Sequence, residues 1–271
     1  LLSDSRPLPH HISFFQRMLA NDKVELQAIL LSAQKKFGAA YAMQRLVLRA
    51  LSHADRELGR GAITREDHAQ VEAIASDMSE KIVSQVELEK SQAAELDALE
   101  HRSDEDAGQR EPSLDPLLPP VRKLRVMTFS LGDRRGREAL KVLMAGRDQI
   151  EIVSQSAAPT PAIARQCVDE LVDLVVISAT ATVSRELLEA ACRTLRRCGY
   201  HGWIAVGWWR VRVLAEPIRR SLKDSGADYV TYRMKAMNRM INYAENAHEK
   251  NDKPVATVVA IEATSIAIDA V

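Results

Sequence analysis

Three short stretches of this sequence carry the residue types suited to holding a ligand: Ser130-Leu-Gly-Asp-Arg-Arg-Gly136, Ser178-Ala-Thr180 and Gly207-Trp-Trp209. They follow three short apolar runs, Leu124–Phe129, Leu174–Ser178 and Trp203–Val206. Glycine lets a backbone approach a ligand closely, hydroxyls hydrogen-bond it, and Arg134 or Arg135 beside backbone N–H groups at a helix start can take a phosphate. Equally, the first stretch can be a tight strand-to-helix connection with solvated arginines. It lacks the Gly-Lys-Ser/Thr ending of a P-loop and the third glycine of a dinucleotide fingerprint, which leaves a nucleotide-binding enzyme as a minor alternative. Trp203, Trp208 and Trp209 are all the tryptophans of the chain. Clustered at one strand end, they either stack on a flat ring or plug an empty crevice.

Other chemistries find less support. No Gly-x-Ser-x-Gly elbow occurs, and only Cys198 has a histidine nearby, His201. Cys167, Cys192 and Cys198 have no paired Cys-x-x-Cys spacing. His10, His11, His53, His101 and His201 have no second ligand at useful spacing, although His53 can face the same cleft as His68. Lys plus Arg equals Asp plus Glu at 37 each, so no overall basic field holds nucleic acid, and a DNA role runs through a partner. A local basic stretch, Arg193, Arg196, Arg197, Arg210, Arg212, Arg219 and Arg220, is a solvated helix face or a surface for an acidic partner. No apolar run is long enough to cross a bilayer and no leader pattern opens the sequence, which predicts a soluble cytoplasmic protein without membrane contact.

Two kinds of segment must position these residues. The first hundred residues are rich in Ala, Leu, Gln, Glu and Lys, and they predict four helices. The first spans Ile12–Leu19. The second, Lys23–Phe37, has Val24, Ala28, Leu31 and Phe37 near one face and Gly38 as its C-cap. The third, Ala40–Leu58, carries the stripe Met43, Leu46, Val47, Ala50, Leu51 and Ala54 and is broken by Gly59 and Gly61. Thr64 with Asp67 opens a fourth, which runs to about Leu99 or beyond. Residues 101–121, HRSDEDAGQREPSLDPLLPP and the residue after it, read as a linker. From 122 to 248, β-branched runs alternate with amphipathic helices, which predicts a five-stranded parallel sheet of flavodoxin-like or Rossmann-like type. The strands are Leu124–Phe129, Ile150–Val153, Leu174–Ser178, Trp203–Val206 and Tyr229–Thr231. The helices are Arg135–Ala145, Pro161–Leu171, Ser184–Arg197, Arg212–Ser225 and Lys235–His248. Residues 249–271 read as a tail, either an extra strand or a disordered end. The expected fold class is therefore α + α/β, a helical bundle (1–100) followed by the sheet domain.

In such a sheet, ligands bind at the carboxyl ends of the strands. The three stretches, in their order, resemble the base-off cobalamin-binding domains of methionine synthase, corrinoid methyltransferase proteins and cobalamin photoreceptors. That pattern is Gly-Asp-x-His-x-x-Gly, then Ser-x-Leu or Ser-x-Thr, then Gly-Gly. Ser225-Gly-Ala-Asp-Tyr229 also resembles the turn before the family's last strand. Gly132, Asp133, Ser178, Thr180 and Gly207 match. Arg135 replaces the cobalt-ligating His, Glu138 the second Gly, and Trp208 the glycine beside which the nucleotide tail lies. An arginine offers no lone pair. Trp208 is therefore expected to narrow or fill the tail pocket.

Glu57-Leu-Gly-Arg-Gly-Ala-Ile-Thr-Arg-Glu-Asp-His68 resembles the family's helical cap motif Trp-x-x-Gly-x-Ile-Thr-x-x-x-Glu-His, with Leu58 in place of the Trp and His68 one residue early. The resemblance makes His68 a candidate upper metal ligand and Leu58 a candidate ring contact. A bundle plus a degenerate sheet domain is similar to the AerR/PpaA group of photosynthesis antirepressors and to the related domain in which haem replaces cobalamin. It implies a non-enzymatic tetrapyrrole sensor, with cobalamin, haem or no ligand, acting on a DNA-bound transcriptional repressor. The alternatives are a corrinoid carrier for methyl transfer and a ligand-free interaction module whose crevice is closed.

Overall fold

The computed structural model describes residues 9–105, 122–132, 134–180, 183–209 and 214–249. The amino-terminal half is helical: α1 (His10–Leu19), α2 (Lys23–Phe37), α3 (Ala39–Ala42), a π-helical turn (Met43–Val47), α4 (Leu48–Gly59) and the long α5 (Arg65–Glu105). Local chemistry sets the ends. Asp22 accepts a hydrogen bond from the Glu25 N–H at the start of α2, and Gly38, at φ +88°, ends it. Thr64 and Asp67 cap each other's backbone N–H groups at 2.9 and 3.1 Å, a reciprocal box built with the shorter acid.

The stripe expected on the third helix is buried throughout, from Met43 to Ala54. Because α3, the π turn and α4 run on without a break, that stripe stays on one side of a single rod. The face expected for α2 is wrong. Val24 is 83% exposed, and Leu31 and Phe37 are also exposed, whereas Leu26, Leu30 and Gln34 are buried. Gln34 is tolerated inside because its amide donates to the Ile82 carbonyl.

The second half alternates β1 (Leu124–Leu131), α6 (Arg134–Met144), β2 (Ile150–Ser156), α7 (Pro161–Asp169), β3 (Leu174–Ala179), α8 (Arg185–Arg197), β4 (Trp203–Trp208), α9 (Glu216–Asp224), β5 (Tyr229–Thr231) and α10 (Met234–Glu249). All pairings are parallel and the strand order is β2-β1-β3-β4-β5, the flavodoxin-like arrangement expected. The fourth helix of this half starts at Glu216, later than expected, with Pro217 in its first turn. Helix α5 continues to Glu105; most of the expected linker and all but the first residue of the tail lie outside the described residues.

Side chains alternate across the strands, so the sheet has two cores. Val126, Val176 and Ala205 face α6, α10 and the bundle in one continuous cluster. Phe129, Ile177 and Val206 face α7, α8 and α9 in the other. Helix α6 lies between sheet and bundle, and of its residues from Arg135 on all but Arg137 and Lys141 are buried. Gln44, on the π turn, ties the bundle to the end of β5: its amide donates to the Tyr232 carbonyl and accepts from the Met234 N–H.

Candidate functional site

The strand order reverses between β1 and β3, and there the register sets Ser130 beside Ser178, Ser178 beside Gly207 and Gly207 beside Thr231. This row of small residues crosses the sheet on the face of α6 and α10. Gly136, in the first turn of α6, closes on it from above. A Cβ there would stand 2.8 Å from Ser130 Oγ and 3.1 Å from the Ser178 carbonyl, so only glycine allows the approach. The Ser178 hydroxyl donates to the Gly136 carbonyl at 2.8 Å.

A tryptophan ring lies in this row. Trp209 Nε1 donates to Ser178 Oγ at 2.7 Å, and the ring covers Gly207 so closely that a Cβ on that residue would overlap it. Its backbone N–H extends the ladder to the Ala179 carbonyl, and the residue is 8% exposed. The residue expected here was Trp208. Trp208 instead points to the opposite core and donates to the Thr180 carbonyl at 3.2 Å, because neighbouring residues of a strand face opposite ways.

Arg135, in the first turn of α6, reaches across to the bundle. Its guanidinium pairs with both oxygens of Asp55 on α4 and, at 2.9 Å, with Glu72 on α5. His68 Nε2 lies 2.9 Å from the same Asp55 carboxylate. An ionised carboxylate only accepts, so Nε2 carries the hydrogen and has no lone pair for a metal. Burial raises the Asp55 carboxyl, but hydrogen bonds and charge from Arg135 and His68 outweigh it and hold the group below its ordinary value. Four side chains thus form a latch between bundle and sheet domain. The cleft left beside it, lined by Leu51, Glu72, Ala75, Ser76, Ser79, Arg135 and Glu138, holds about 20 Å³. Ligand pockets typically need roughly 300–1,000 Å³.

Gly132 is an exposed turn residue at φ +91° and Thr180 is buried at the end of β3, while Asp133 lies outside the described residues. Leu58 is half-buried in the last turn of α4, one turn beyond Asp55. His53 packs edge-on against Phe15, with ring centroids 4.8 Å apart, and meets Arg56 at 3.1 Å; it is committed within the bundle. The basic stretch is largely engaged: Arg196 binds Asp228 and three backbone carbonyls, and Arg193 binds Ser225. Arg210 and Arg212 lie outside the described residues. Among the described residues no group of three or more His, Cys, Asp or Glu side chains is placed to hold a metal ion, and no helix is long and apolar enough to cross a membrane. Sequence inspection missed Asp55 and Glu72. The available signal was the four-residue step from His68 to Glu72, which puts both on one face of α5.

The cysteines stand apart from this site. Burial pushes the Cys167 thiol up to about 11 and the Cys192 thiol to about 12, and only Cys198 is partly exposed. Because the thiolate is the reactive form, an aromatic disulfide reagent at about pH 8 should label Cys198 quickly. The other two should react only on unfolding, and fast release of more than one equivalent would contradict the packing.

A base-off cobalamin does not fit these side chains as they stand. At the positions that the sequence resemblance matches to a cobalt-binding His and a tail-binding serine stand a paired guanidinium and a hydroxyl that accepts from an indole, and the space over Gly207 is filled. No protein-family model matches the chain, and no curated protein matches it. Among solved structures, the methanol:cobalamin methyltransferase complex of Methanosarcina barkeri aligns over 86% of this chain and 78% of its own, at 10% identity and a TM-score of 0.35. A cobalamin-binding protein of Desulfitobacterium hafniense aligns over 86% of this chain and 97% of its own, at 10% identity and a TM-score of 0.37. Likeness of this degree says nothing about ligand or activity.

Proposed function

We propose that this protein is a non-catalytic module of the cobalamin-domain type that fills its own ligand crevice and acts through its surface on a partner protein. The observation that carries this is the Trp209 indole seated on Ser178 over Gly207; the Arg135–Asp55 latch closes the same end of the molecule. A side chain already holding the tail-binding hydroxyl must leave before a nucleotide tail can enter, and the latch must open before a ring can. The transcriptional repressor as partner, and haem as an alternative ligand, rest on the motif resemblance alone.

A second reading, a corrinoid carrier, is favoured by one feature. The row Ser130, Ser178, Gly207 with Gly136 above it is still built of residues that leave a groove once one indole swings away. Titration of the full chain with hydroxocobalamin, followed by visible absorbance and co-elution on gel filtration, separates the two. The closed module gives no stoichiometric uptake. Tight one-to-one uptake overturns it in favour of the carrier, and the same titration with hemin tests the haem alternative.

A further inference from the structure

A groove of about 740 Å³ runs along the bundle between α2, the start of α1 and the π turn. Ala28, Ile29, Ala33 and Leu46 line its apolar part. On α2, Ala28 with Ser32 and Ile29 with Ala33 are each four residues apart, so the two pairs lie along one flank, and the small Ala28, Ser32 and Ala33 leave the depression open. The π turn contributes the other wall, with Leu46 buried at its base and Arg45 exposed at its rim. π turns inside helices are frequent at functional positions.

The charge around the groove is one-sided. Lys36, Arg45 and Arg49 line it, against a single carboxylate, Glu25, which Arg17 engages at 3.1 Å. Among the described residues no carboxylate pairs with Lys36 or Arg45, although the chain as a whole carries equal numbers of acids and bases. An apolar trough with cations on its rim matches a ligand with the reverse arrangement. Two neighbouring helical walls suit a third helix lying in their groove. Nucleic acid fits less well, since phosphates gain nothing from an alanine and isoleucine floor.

From these observations we infer that this groove docks an amphipathic acidic helix of a partner protein, apolar side chains inward and carboxylates toward Lys36 and Arg45. It shares no residue with the latch or with Trp209, so the result below stands or falls apart from the closed crevice.

The test is fluorescence anisotropy on the full chain with a labelled peptide of about 18 residues, leucines at i, i+3, i+4 and i+7 and glutamates elsewhere. Controls are the same peptide with lysines for glutamates and a single-stranded DNA of similar length. Two variants report on the groove: Lys36→Glu with Arg45→Glu reverses its rim, and Ala33→Trp fills its floor, each checked for unchanged circular dichroism. The expected result is binding of the glutamate peptide alone, weakened about tenfold or more by either variant, with affinity falling as salt rises. The inference is overturned if the lysine peptide or DNA binds as well, or if both variants leave the affinity unchanged. It also fails if the glutamate peptide does not bind.

Discussion

Trp209→Ala lowers the unfolding free energy by about 3–5 kcal/mol, the range for deleting a large buried aromatic, and opens the row above Ser178 and Gly207. The size follows from placement. The indole is almost wholly buried, belongs to the core shared by sheet and bundle, and donates to a buried hydroxyl. Once it is gone, Ser178 keeps its bond to the Gly136 carbonyl, so no buried donor is stranded and the loss is mainly packing. Trp208→Ala is the control. It should cost a similar amount because that indole is equally buried, but on the far face it leaves the crevice filled. Urea unfolding measures both losses, and hydroxocobalamin titration of the two variants separates them: any gain of corrinoid binding belongs to Trp209→Ala only. A cost below about 1 kcal/mol would mean that the indole does not fill the site.

The second large effect concerns the latch and is asymmetric between its partners. Asp55→Ala takes from the Arg135 side chain, 11% exposed, the carboxylate that holds it through both oxygens, while Glu72 still pairs with it. Breaking a buried pair costs about 3–5 kcal/mol; with Asp55 itself one-third exposed, about 2 kcal/mol is expected. Arg135→Met removes the buried charge instead and leaves two carboxylates that can hydrate, so its cost should stay within about 1 kcal/mol. Asp55 also makes the latch depend on pH. Its carboxyl titrates below the ordinary 3.8, so its contribution is fully present above that value and is lost as pH falls through the lower folded value. The stability gap between the protein and Asp55→Asn should therefore be present at about pH 4 and close as pH falls further. A gap that widened as pH fell below about 4, or equal costs for the two partners, would contradict the geometry.

Much of the fold was legible in the residues themselves. Thr64 and Asp67, Asp22, Gly38 and the Met43–Ala54 stripe act within one or two helical turns, and short β-branched runs between amphipathic stretches announce parallel strands. Such signals involve residues a few positions apart, where geometry is set by the backbone alone. Alternation in α2 was misjudged because two flanks of that helix carry apolar residues, and which one is covered depends on the rod beside it.

The residues alone thus set the order and kind of elements, and the departures at 135, 138 and 208 from the pattern they resemble. The tertiary structure decided which chemistry those departures allow. Strand register put Ser130, Ser178 and Gly207 in one row, and a one-residue step gave that row to Trp209 and turned Trp208 away. Docking of the bundle brought Asp55 and Glu72 to Arg135 across 80 and 63 positions of chain. The reason is physical: caps and periodicity are local properties of the backbone. Whether a crevice is open or filled depends on side chains that meet only when distant segments share a core.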